Sequence, residues 1–204
     1  MYLDFKTSQN LSKKYGIDVV ETYFADSENS AKKATGRTGF PCVMKLNSAE
    51  HKTDIGGIIT NIENHHQAEL AFHKLKRKRN FNGVIVQKQL EGKEIIIGGK
   101  QDLQFGPVVL FGIGGVFVEI MKDFSLKIAP VTKKEAEYMI KSIQGYPILR
   151  GTRGEKSVNL NNIANAIVAV SNLISKHPEI QELDLNPLIV SENYCKAVDL
   201  RFIC

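Results

Sequence analysis

Between residues 83 and 120 the sequence is a ladder of short apolar runs punctuated by glycine, and this pattern limits the possible folds more than any other feature. Gly83-Val84-Ile85-Val86-Gln87 leads to Leu90-Glu91-Gly92 and then to Glu94-Ile95-Ile96-Ile97-Gly98. Two further runs follow, Pro107-Val108-Val109-Leu110-Phe111 and Val116-Phe117-Val118-Glu119-Ile120, with Gly112-Ile113-Gly114-Gly115 between them. Short strands broken by glycine predict an antiparallel or mixed sheet.

Helix-plus-strand patterns flank this region. A short helix is expected around Ser8 to Tyr15, stopped by Gly16, then a strand over residues 17–24. Ser27 is placed to cap a helix that Gly36 or Gly39 would end. Short strands are predicted at 41–46 and 58–62, and a helix from His65 to Arg79 with Leu70, Phe72 and Leu75 among its apolar positions. The basic end of that helix (Lys74, Lys76, Arg77, Lys78, Arg79) suits a helix C-terminus. Thr132-Lys133-Lys134-Glu135 has capping-box spacing and opens a helix through Met139 and Ile143. Ile163, Ile167, Val170 and Ile174 mark one face of another, ended by Pro178. Two strands close the chain, at 183–186 and 197–200. The whole reads as α+β.

A chain of 204 residues has room for one large domain or two small lobes with an apolar core. The formal net charge of +5 can help attract a polyphosphate or an acidic partner. The aromatics are not interleaved with basic residues as on a base-stacking platform, so no nucleic-acid partner is expected. Cys42, Cys195 and Cys204 lack CxxC spacing and are odd in number, which argues against a disulfide framework or a zinc site. The N-terminus lacks the apolar run of a secretory signal, and no segment has the roughly 18 apolar residues of a membrane span. A cytoplasmic protein without a membrane partner is expected.

There is no GxxxxGK[ST] loop and no GxGxxG fingerprint, so a nucleotide would have to be held in another way. Four segments can carry chemistry. Lys45, at the end of a strand, precedes His51-Lys52-Thr53-Asp54-Ile55-Gly56-Gly57, where glycine lets main-chain amides approach phosphate oxygens and a neutral imidazole can accept a phosphoryl group. A surface loop with incidental charges is the competing reading. In Glu182-Leu183-Asp184-Leu185-Asn186, alternation puts Glu182, Asp184 and Asn186 on one face. A hairpin with the last strand would bring Asp199 to that face, where oxygen donors suit Mg²⁺. Gln87-Lys88-Gln89-Leu90-Glu91-Gly92-Lys93-Glu94 can offer main chain to a base and a carboxylate to a ribose, or can be a polar hairpin. Arg150-Gly151-Thr152-Arg153-Gly154 offers two guanidinium groups to phosphate, or is a solvated loop.

Taken in order, these segments resemble the ATP-grasp (β) subunit of ADP-forming acetate–CoA ligase, a relative of the succinyl-CoA synthetase β subunit. The resemblance rests on 39–45, 51–57, 102–107, 112–119, Ala129-Pro130, 150–154, 184–188 and 197–199, and spans Tyr15 to Phe202. It implies an ATP-grasp fold of two α+β lobes, about 17–90 and 91–204, with a nucleotide cleft between them. It also implies a reaction in which acyl-CoA, ADP and phosphate give carboxylic acid, CoA and ATP. By that resemblance His51 is a phosphoryl acceptor, Asp184 orients a phosphohistidine, and Asn186 and Asp199 hold Mg²⁺. Lys45, Gly56 and Gly57 hold phosphates, Arg150 and Arg153 contact phosphate, and Gln87, Lys88, Gln89, Leu90 and Glu94 form the ATP/ADP site. Lys127 departs from the pattern, standing where an arginine is expected. The CoA-binding and acyl-transfer domains are missing, so a CoA-binding α subunit, or fused domains, and a hetero-oligomer are implied. The competing readings are a non-catalytic nucleotide sensor of the same fold and a carboxylate–amine ligase, which would not need His51.

Overall fold

A computed structural model describes residues 1–47, 56–79, 81–115, 123–152 and 156–204. It divides into two compact units: Val20–Leu90, and Met1–Val19 together with Glu91–Cys204.

The Val20–Leu90 unit is a four-stranded antiparallel sheet covered by two helices. Its strands are β1 (Thr22–Ala25), β2 (Cys42–Leu46), β3 (Ile58–Ile62) and β4 (Val84–Lys88), in the order β1-β4-β2-β3. Helix α2 (Glu28–Thr38) packs on β1 and β4, and α3 (His65–Lys76) on β2 and β3. The N-cap expected at Ser27 is formed, and it closes into a capping box whose third residue is Ser30 in place of an acid. Gly39 stops α2 at φ 73°, a left-handed conformation that favours glycine. Ala31, Ala34, Ala68, Ala71, Phe72 and Leu75 face Met44, Val84 and Val86 to make this unit's core.

The other unit is built on a six-stranded antiparallel sheet. Strands β5 (Lys93–Asp102), β6 (Gly106–Ile113), β7 (Phe124–Ile128), β8 (Glu182–Val190) and β10 (Arg201–Ile203) run in the order β10-β8-β5-β6-β7. Strand β9 (Cys195–Ala197) pairs with β8. Helix α1 (Phe5–Lys14) lies by β10, and α4 (Lys133–Ser142), α5 (Tyr146–Arg150) and α6 (Leu160–Lys176) follow β7. Helix α6 presents Ile163, Ile167, Val170 and Ile174 to β5 and β6, and all four are fully buried. Gly99 permits that closeness, because a Cβ there would stand 3.1 Å from the Cβ of Ile174.

Three strand expectations need correction. The strand placed over residues 17–24 begins only at Thr22, because Ile17 and Val19 are drawn into the other unit's core and Val19 bridges Ala197. The strand placed at 197–200 is interrupted: residues 198–200 separate β9 from β10. Strand β8 does not stop at Asn186 but continues through Pro187 to Val190. The run at 116–120 lies outside the described residues. No helix among the described residues is long and apolar enough to cross a membrane.

Candidate functional site

Strand β8 carries the acidic half of the candidate site. Its burial alternates as the sequence demands: Leu183 and Leu185 are buried, while Glu182 and Asn186 are exposed and Asp184 is half-buried between them. Beyond β8 the chain returns twice along the same edge. Ala197 pairs with Leu188 and Arg201 with Asp184, and the Val198 amide donates to the Pro187 carbonyl at 3.1 Å. The register therefore sets Asp199 opposite Asn186, in the gap between β9 and β10. Its Oδ1 accepts from the Leu200 amide at 3.0 Å, which fixes the carboxylate against its own backbone. Asp184, Asn186 and Asp199 are thus neighbours on one edge, a donor set of two carboxylates and a carboxamide oxygen. Such hard oxygens fit Mg²⁺, which binds through one or two carboxylates and shares its remaining positions with water and phosphate.

The same sheet face extends away from that edge as an apolar surface. Pairing runs from Asp184 to Gly98, then to Leu110 and Leu126, and from Glu182 to Lys100, Val108 and Ile128. Phe124, Leu126 and Ile128 are exposed, whereas Lys127 points the other way, 3.7 Å from Glu135 and over the Tyr138 ring of α4. The lysine that departs from the expected arginine is therefore turned to the helix layer. Strand β7 was missed in the sequence, although the period-two alternation Phe124-Ser125-Leu126-Lys127-Ile128 announces it.

Glu94 is the second residue of β5 and is exposed. Gly114 donates its amide to the Glu94 carbonyl at 2.8 Å, and a Cβ at Gly114 would come within 3.1 Å of Glu94. Gly115 has φ 71° and lies over the Glu94 carboxylate. Gly114 and Gly115 thus let backbone close over Glu94. Arg150 ends α5, exposed, with Gly151 following at φ 82°. Arg153 lies outside the described residues.

In the Val20–Leu90 unit, Lys45 is only 6% exposed on β2, paired with Ile58 and Ile85. Gly57 continues that ladder, its carbonyl accepting from Leu46 at 2.7 Å, and Gly56 precedes it at φ 59° with the Lys78 ammonium close by. His51 lies outside the described residues. The candidate segment 87–94 straddles the border between the two units, since Gln87, Lys88, Gln89 and Leu90 belong to this one and Glu94 to the other. Three of its side chains have internal partners. Gln87 is buried and donates to Thr22 Oγ1 at 3.1 Å, and Lys88 donates to the Phe40 carbonyl at 2.6 Å. Gln89 accepts from the Asn61 amide at 2.7 Å and donates to Asn61 Oδ1 at 2.6 Å. That double bond clamps Asn61 at φ 56°. With those side chains engaged, residues 87–90 are left with main chain and the half-buried Leu90 to offer a ligand, and Glu94 keeps an exposed carboxylate. Cys42 neighbours Lys88, and burial pushes its thiol up to about 11 against the opposing pull of the ammonium.

A sequence profile described as an ATP-grasp domain matches residues 1–204, and the chain belongs to that family. It is 45% identical to the acetate–CoA ligase (ADP-forming) I subunit beta of Pyrococcus furiosus, over 96% of this chain and 89% of that subunit. It is 40% identical to the acetate–CoA ligase (ADP-forming) I of Archaeoglobus fulgidus, over 93% of this chain but 29% of that longer protein. The fold is that of the dinucleotide-forming acetyl-coenzyme A synthetase 1 of Ca. Korarchaeum cryptofilum. One of its structures, with coenzyme A, Ca-AMPCP and HgCl⁺, superposes with a TM-score of 0.93 at 34% identity, covering 99% of this chain and 93% of that one. A second, with coenzyme A and Mg-AMPPCP and a phosphohistidine segment pointing towards its nucleotide site, gives a TM-score of 0.85 at 34% identity, covering 98% and 91%.

Proposed function

We propose that this chain is the nucleotide-handling component of an ADP-forming acyl-CoA synthetase, moving a phosphoryl group between phosphohistidine and ADP to make ATP. The observation that carries the reading is the meeting of Asp184, Asn186 and Asp199 on one edge of β8, in a chain that matches nearly all of a β subunit of such a ligase. Relatives that bind Mg-AMPPCP and carry a phosphohistidine segment favour a catalytic role over a sensing one. ATP/ADP and Mg²⁺ are the ligands this reading requires. The separate β subunit among the relatives, beside longer proteins of which this chain spans 29%, points to a CoA-binding α subunit or fused domains as partner.

In this reading Asn186 and Asp199 hold the cation and Asp184 orients the incoming phosphohistidine. The bound cation would supply charge neutralisation at the phosphates. Phosphoryl transfer is a reaction of positioning and electrostatic stabilisation, so groups that hold still matter more than groups that react. Asp199 is held by Leu200, and Lys45 by a buried strand. His51 receives the phosphoryl group on a ring nitrogen and passes it to the β-phosphate of ADP. Arg150 and Arg153 neutralise phosphate charge, and Gly56 and Gly57 offer amides to phosphate. Gln87, Lys88, Gln89 and Leu90 supply main chain for the base, with Glu94 at the ribose hydroxyls.

The test is reconstitution. Mixed with a CoA-binding α subunit, acetyl-CoA, ADP, phosphate and Mg²⁺, the chain is expected to form ATP, and His51→Ala to abolish that formation while the protein stays folded. Unchanged ATP formation by the variant would defeat the role of His51. No ATP with the wild-type pair, despite measurable Mg²⁺-dependent ADP binding, would favour a sensor.

A further inference from the structure

The helical face of the Val20–Leu90 unit gathers three donors of metal-binding type. Helices α2 and α3 run antiparallel: Thr35 near the end of α2 approaches His65 at the start of α3, and Glu28 at the start of α2 approaches His73 near the end of α3. Glu69 and His73 are four residues apart on α3, which puts both side chains on one helix face. One donor atom from each of Glu28, Glu69 and His73 lies within 4.8 Å of the other two. We propose that Glu28, Glu69 and His73 form a binding site for a zinc-type divalent cation that clasps α2 to α3.

Geometry and donor chemistry both support this. Zinc bound tetrahedrally at 2.0–2.2 Å from nitrogen and oxygen needs its donors about 3.4 Å apart. His73 Nε2 and Glu28 Oε2 are already 3.2 Å apart, so that pair spans one edge of the tetrahedron without moving either helix. The two edges to Glu69 close by rotation of exposed carboxylate side chains, which have the freedom to do so. An imidazole nitrogen with two carboxylates suits Zn²⁺, Co²⁺ or Ni²⁺, whereas Mg²⁺ prefers an all-oxygen set. Two carboxylates also balance the charge of a divalent ion, and water can take the fourth position because His73 and Glu28 are 46% and 56% exposed. Cysteine spacing argued against zinc in this chain; this cluster contains no cysteine, so that argument does not reach it. The backbones are fixed by the packing of Ala31, Ala34, Ala68, Ala71 and Phe72 beneath, so ligation braces two helices that already touch.

Titration calorimetry of the full chain with ZnCl₂ alone, without nucleotide, tests the site. One saturable zinc per chain is expected, with a raised melting temperature. Glu69→Gln and His73→Ala should each weaken binding at least about tenfold, since a direct ligand is worth no less than the supporting groups whose loss costs that much. Both positions are exposed, so the variants should melt like the wild type when zinc is absent. Cys204→Ser should bind zinc unchanged, and a large excess of Mg²⁺ should not displace it. Absence of saturable binding, loss of binding in Cys204→Ser, or full affinity in Glu69→Gln would overturn the proposal and leave Glu28 and His73 as a plain ion pair.

Discussion

In the proposed reading, Asp199 is a case where chemistry would rest on a single side chain. It occupies no strand, yet its place opposite Asn186 is set by two short strands on either side and by the Val198–Pro187 hydrogen bond. Asp199→Ala should lower turnover of the reconstituted enzyme on the order of a hundredfold or more, the scale seen when one electrostatic stabiliser is lost, and the loss should be read in initial rates at saturating Mg²⁺. A variant within twofold of the wild type would remove Asp199 from the site. The thiols divide in the same residue-by-residue way. Burial pushes Cys42 up to about 11 and Cys195 up to about 12, whereas Cys204 is exposed. Near neutral pH a thiol reagent should therefore modify Cys204 alone in the folded chain, and all three only in denaturant; early modification of Cys195 would contradict its burial.

At the scale of elements, α4 and α6 separate surface from core contributions. The capping box of α4 gives Glu135 two hydrogen bonds from Thr132, backbone first, which hold its carboxyl below its ordinary 4.5. The unfolded chain takes up that proton more readily, so this stabilisation is present above the unfolded value and is lost as pH falls through the lower folded value. Glu135→Gln should flatten the acid end of the stability profile, measured as urea midpoints from pH 6 down to pH 3. On α6, Leu173 is fully buried, and Leu173→Ala should cost about 3 kcal/mol of unfolding free energy through lost burial and the cavity left behind. These two helices were readable from the sequence because their signals are local: a capping box and a 3.6-residue apolar period. Alternation likewise gave the faces of β8. The fate of residues 17–20 was not readable, since a strand-like run says nothing of which core will claim it. Strand β7 was readable in principle by its alternation. The placement of Asp199 was only half readable, because it depends on pairing between strands that no local pattern specifies.

For the whole molecule, the sequence supplied the family through motifs in order, each weak alone, while the structure supplied the arrangement of Asp184, Asn186 and Asp199 and the apolar sheet face beside them. Gln87, Lys88 and Gln89 show the limit of motif reading: their side chains are taken up by Thr22, Phe40 and Asn61, which spacing could not reveal. The functional reading makes this chain a relay station, which must itself carry phosphate for part of each cycle. Incubation with the α partner, Mg²⁺ and ATP bearing a radioactive γ-phosphate should leave acid-labile, alkali-stable label on this chain, and none on His51→Ala. Label absent from the wild-type chain, or retained undiminished by the variant, would contradict the relay.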